Sequence, residues 1–108
     1  MSWHPGAEED LANLKVPARE RFAVDSAIEK LKSIGDQLGF PHSSGVGSGL
    51  RELRPRQGRS PWRALYSRVA NTMVILAVGP EAEHDQPGFD RAVQLAKERL
   101  RTVKEDQR

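Results

Sequence analysis

The chain has 108 residues, no cysteine, 37% hydrophobic and 30% charged residues, and a formal net charge of +2. This composition excludes a disulfide framework and a thiolate metal site, and it predicts one soluble cytoplasmic domain over 1–108 with one small core and frayed ends at 1–5 and 105–108. The longest apolar run, Met73–Val78, is far short of the roughly 20 residues that span a bilayer, and the acidic N-terminal stretch has no signal-peptide pattern, so no membrane role is expected.

In chain order, "HPGAEEDLANL" places Pro5 near a helix start and Glu8, Glu9 and Asp10 in its first turn, where the helix dipole favours negative charge. A short helix is predicted over 6–14. Pro17 opens a second helix, the longest element, in which Val24, Ala27, Ile28, Leu31, Ile34 and Leu38 recur at helical spacing, with Phe22 near the stripe. Gly39 and Pro41 form its expected stop. The glycine- and serine-rich "HSSGVGSG", 42–49, reads as a flexible connector; it lacks the Gly-Lys-Ser/Thr ending into a helix that a phosphate-binding loop requires.

From Leu50 the pattern changes to "LRELRPR", a turn at "QGRS", then "WRALYSRV", a turn at "AN", then "TMVILAV". Connections this short predict three antiparallel strands in a meander, and the unbroken apolar run of the third suits a strand covered twice. Pro87, after Asp85 or Gln86, opens a last helix with Phe89, Ala92, Val93, Ala96, Leu100 and Val103 in one stripe. The segment before the first helix, "MSWH", is too short to promise a strand, although Trp3 could pair with a sheet edge or cap the core. The expected architecture is therefore α+β, a small antiparallel sheet with helices packed on one face.

Charge is unevenly distributed. Five basic residues face seven acids in 1–50 and six face seven in 69–108, whereas 51–68 holds six arginines against Glu52 alone. A block of one sign is a footprint for a polyanion. Arginine suits phosphate through its planar, permanently charged fork, and nearby aromatic rings offer surfaces for unstacked bases. Alternation along the strands puts Glu52 and Arg54 on one face, Arg51 and Leu53 on the other, and separates Arg63 and Leu65 from Trp62, Ala64 and Tyr66. Whether Arg63 or Tyr66 joins Arg54 depends on register, which the sequence leaves open.

The segments "DLANLKVPARERFAVDSAIEKL", "LRELR", "WRALY", the apolar strand ending at Gly79, and "FDRAVQLAKERL" together resemble the RelE/HigB superfamily of bacterial toxins, in its phage-derived HigB-like branch. The resemblance implies a RelE-like fold, and the toxin component of a type II toxin–antitoxin pair that cleaves mRNA at the ribosome and is held inactive by a cognate, helix-turn-helix antitoxin. It implies metal-independent chemistry without a cofactor, in which the 2′-hydroxyl attacks the adjacent phosphate. Such a site needs a base, an acid and fixed positive charge. Arg54 matches the arginine of the family's "yELR" motif and Arg63 that of "yRvly". Relatives carry lysines after the third strand, where this chain reads "GPEAEHDQPGF", and His84 is the replacement acid or base. The catalytic set is thus Arg54, Arg63 and His84, with Arg51, Arg56, Arg59, Tyr66, Arg68 and Phe89 as nucleic-acid contacts. The competing expectation is a toxin-fold protein that has lost catalysis and acts by binding its antitoxin, gyrase or DNA. A metal hydrolase is disfavoured, because His4, His42 and His84 have no ligand-like spacing.

Overall fold

The computed structural model describes residues 1–39, 42–55 and 60–106. Two helices open the chain after a two-residue strand, β1 (Ser2–Trp3): α1 (Pro5–Ala12) and α2 (Ala18–Ile34). Four strands follow, β2 (Ser43–Gly47), β3 (Leu50–Leu53), β4 (Trp62–Val69) and β5 (Thr72–Pro80), and the last helix is α3 (Gln86–Asp106). Among the described residues no helix is long and apolar enough to cross a membrane.

The strands form one sheet in the order β1-β5-β4-β3-β2. The three-stranded meander is present as β3, β4 and β5, but the sheet is mixed rather than purely antiparallel, because β1 runs parallel to β5 through Ser2↔Val74 and Trp3↔Ile75. The glycine-rich stretch read as a connector is largely β2, paired antiparallel with β3. Its glycines belong to the hairpin: Gly47, Ser48 and Gly49 take positive φ values of 90°, 57° and 78°, a backbone that costs glycine little. Small residues conceal such a strand from any apolar-alternation test.

The helices cover both faces of the sheet, not one. Ala64, Tyr66, Ile75 and Val78 pack with Val24, Ile28 and Leu31 of α2, while Leu65, Val69, Val74 and Leu76 pack with Ala92, Ala96 and Leu100 of α3. The sequence shows the reason: β4 is buried at Arg63–Ser67 and β5 at Val74–Gly79, consecutive positions that would expose every second apolar side chain if one face were open. A bulge between Leu65 and Tyr66 skips Leu76 on β5, and Leu76 and Ala77 then both turn toward α3.

β5 would be an open edge beyond the short β1, and α1 closes it. His4 N–H donates to the Ile75 carbonyl (2.9 Å), Val78 N–H donates to Asp10 Oδ2 (3.2 Å), and Arg99 Nη1 donates to both Asp10 Oδ2 and the Leu76 carbonyl at 2.8 Å. Side chains thus stand in for the missing strand, which removes a template for edge-to-edge pairing. Arg21 of α2 donates to the Leu11 and Leu14 carbonyls at 2.9 and 2.6 Å, satisfying groups at the end of α1. α2 ends at Gly35 (φ 68°), four residues before the expected stop; Leu38 reaches the core from beyond a 3₁₀ turn, and Ile34 and Phe22 are exposed rather than part of the buried stripe.

Candidate nucleic-acid interface

Pairing of Arg51 with Tyr66, Glu52 with Leu65 and Leu53 with Ala64 settles the open register. Continuing that register sets Arg54 beside Arg63, just past the end of β3, where it also borders α2. Arg54 N–H donates to the His42 carbonyl (2.8 Å), which extends the β2–β3 ladder to this residue. Its guanidinium is about one third exposed, and its Nε lies 3.8 Å from Glu52 Oε1, since residues two apart on a strand share a face.

Arg63 has a different environment. Its side chain is 8% exposed, ion-paired to Glu81, and donates through Nη1 to the Ser60 and Trp62 carbonyls at 3.1 Å each. The expectation that it presents charge to a phosphate is therefore corrected: α3 approaches this corner too closely to leave an opening. Gly79, the cross-strand partner of Arg63, lacks the Cβ that would come within 2.6 Å of the Ala92 Cβ. Burial lowers the pKa of Arg63, with Glu81 and then Glu52 raising it and Arg54 opposing them. The guanidinium stays charged. The ion pairs and the strand register bring Arg54, Glu52 and Glu81 to the Arg63 end of β3, β4 and β5, with Glu83 on the turn that follows.

Glu81 is fixed from the backbone as well, its N–H donating to the Pro61 carbonyl at 2.6 Å. His84 lies on the tight turn that follows, with its N–H donating to the Glu81 carbonyl (3.1 Å) and its side chain exposed. Asp85 Oδ1 accepts from Gly88 N–H at 3.0 Å, so Asp85 caps the first turn of α3.

The expected nucleic-acid contacts are dispersed. Tyr66 is 2% exposed, its ring packed among Val24, Ile28 and Leu31 on the α2 face and its hydroxyl bonded to Ser43 Oγ, so it offers no surface to a base. Arg51 is exposed but donates through Nε to the same Ser43 Oγ (2.8 Å), on the face away from Arg54. Arg68 lies at the far end of β4, donating to the Ala70 carbonyl at 3.3 Å. Phe89 is half-buried against the α3-side core and braces it. Arg56 and Arg59 lie outside the described residues. Arg54, Arg63 and His84 are thus brought to one end of the sheet, whereas Arg51, Tyr66, Arg68 and Phe89 are not.

Two kinds of residue escaped the sequence reading. Glu52 and Glu81 bring carboxylates to the arginines, visible only once the β3–β4–β5 register is known. The second is a groove of about 1020 Å³ between α2 and the end of β3, lined by Arg19, Phe22, Lys30, His42, Leu53 and Arg54, among others. Its signal was present in α2: Arg19, Phe22, Ser26 and Lys30 share a helical face that the apolar stripe does not use.

The family described as phage derived protein Gp49-like (DUF891) matches residues 9–101, from within α1 almost to the end of α3. No curated protein matches the chain. The match covers every element that builds this corner of the sheet, the chain belongs to the phage-derived Gp49-like family, and that family is RelE-like and toxin-like.

Proposed function

We propose that the chain is the toxin of a type II toxin–antitoxin pair and cleaves single-stranded mRNA, at the ribosome, without a metal. The observation that carries this reading is the gathering of Arg54, Glu52, Arg63, Glu81 and Glu83 at one sheet end, with His84 on the adjoining turn. Charged side chains gathered around one buried arginine, whose pKa that burial lowers, are a mark of functional sites. A carboxylate, Glu52 or Glu81, takes the proton of a ribose 2′-hydroxyl; O2′ bonds to phosphorus as the P–O5′ bond breaks; the His84 imidazolium gives its proton to O5′. The products are a 2′,3′-cyclic phosphate and a 5′-hydroxyl. Arg54 supplies the positive charge at the phosphoryl oxygens. Arg63 is a positioning residue, which holds Glu81.

Expression of the protein in bacteria, followed by mapping of mRNA ends, tests the proposal. Growth arrest with cleaved mRNA, both relieved by Arg54→Ala, is expected; normal growth with intact mRNA overturns it. A second reading, a toxin-like protein that acts by binding its antitoxin, gyrase or DNA without catalysis, is favoured by the burial of Arg63 and by the acids Glu81, Glu83 and Asp85 where relatives carry lysine. Purified protein that binds such a partner yet leaves RNA intact with ribosomes present would establish it.

A further inference from the structure

The groove beside α2 meets the proposed cleavage site at Arg54, which belongs to both. Its α2 wall is built by one helical face, Arg19, Phe22, Ala23, Ser26, Ala27 and Lys30, recurring three and four residues apart. The three acids of α2, Glu20, Asp25 and Glu29, are not among its lining residues. Among the described residues Arg19, Lys30, His42 and Arg54 line it together with no carboxylate. Ala23, Ser26 and Ala27 are small, which leaves depth between the helix and Leu53.

Phe22 lines this groove 71% exposed. An aromatic side chain at helical spacing costs solvation when it is left out of a core, and α2 has a complete core stripe without it in Val24, Ile28 and Leu31. A basic channel with an exposed aromatic ring is the arrangement that holds a single-stranded nucleic acid: charge follows the backbone and the ring stacks a base, whatever its identity. An apolar peptide would need no row of cations, and an acidic peptide would gain nothing specific from the ring.

We infer that this groove is an RNA track, in which the single strand leaving the cleavage site passes Arg54, stacks a base on Phe22 and sets phosphates against Arg19 and Lys30. The inference rests on the RNA-cleaving reading and extends it by giving the strand a path on the α2 side. It assigns the same face of α2 a function independent of base sequence, so the track contributes affinity and not cleavage preference.

The test uses the full chain and a short 2′-O-methyl oligoribonucleotide, whose blocked 2′ position cannot attack, with affinity read by fluorescence anisotropy across a salt series. Phe22→Ala is expected to weaken binding about tenfold, the loss of one stacked base. Arg19→Gln with Lys30→Gln is expected to lower the slope of log affinity against log salt by about two. All three side chains are exposed, and circular dichroism confirms that the variants fold. Unchanged affinity and salt slope in both variants would overturn the track, as would a wild-type chain that does not bind the oligonucleotide. Variants that retain the oligonucleotide but release an acidic amphipathic peptide would overturn it in favour of a protein occupant. Failure of the cleavage reading looks different: groove-dependent binding would persist while natural RNA stays intact.

Discussion

Arg54 and Arg63 stand on adjacent strands, at one end of one sheet, yet their environments diverge. The Arg54 side chain is 35% exposed, loosely paired with Glu52 at 3.8 Å, and lines an open groove; the Arg63 side chain is 8% exposed, held by Glu81 and two carbonyls. The difference comes from what packs over each. α3 reaches the sheet at Gly79 because that position lacks a Cβ, and this closes the corner over Arg63. On the other side α2 ends at Gly35 and carries Ala23, Ser26 and Ala27 on its groove face, leaving the approach to Arg54 open. One arginine serves the surface, the other the framework.

Five variants break or sharpen this contrast, taken from the largest effect to the smallest. Arg54→Ala removes a charge-stabilising donor and should lower RNA cleavage about 10²–10³-fold, equivalent to roughly 3–4 kcal/mol, while the melting temperature barely moves, since an exposed ion pair contributes under about 1 kcal/mol. Glu81→Ala leaves Arg63 charged and buried without its partner, and urea denaturation should show a loss of about 3 kcal/mol. Replacing both with apolar residues, Arg63→Leu with Glu81→Leu, should restore most of that stability without restoring activity. Gly79→Ala drives a methyl group into Ala92 and should cost about 2 kcal/mol, recovered in part by Ala92→Gly. Tyr66→Phe deletes the hydroxyl bonded to Ser43 and should cost about 1 kcal/mol by thermal denaturation with no change in RNA affinity, because the ring faces the core.

Much of this molecule is legible in its sequence. The stripe of Phe89, Ala92, Val93, Ala96, Leu100 and Val103 appears as the packed face of α3, and Pro5 and the Asp85–Pro87 segment open helices where expected. The unbroken apolar run at Met73–Val78 was the sign of a doubly covered strand, and β4 carries the same sign less plainly because Arg63 and Ser67 interrupt it. What escaped reading depends on non-local pairing. β2 opens on Ser43, whose hydroxyl bonds both Tyr66 and Arg51, a contact 23 residues away in the chain for Tyr66. β1 is two residues long and exists only because β5 offers an edge. Tyr66 was open to two readings until Arg51↔Tyr66 fixed the register, and the same register placed Glu52 on the face that Arg63 shares. Residue type does not reveal exposure: Arg63 and Tyr66 are buried because neighbouring elements cover them, and burial is a property of those elements.

The most direct test is end-group analysis of a defined single-stranded RNA incubated with purified protein and ribosomes in excess EDTA, comparing wild type with Arg54→Ala. The account predicts fragments ending in 2′,3′-cyclic phosphate and beginning with a 5′-hydroxyl for the wild type, and their near absence for the variant. Uncut RNA with the folded wild-type protein, or equal cleavage by the Arg54 variant, would contradict it.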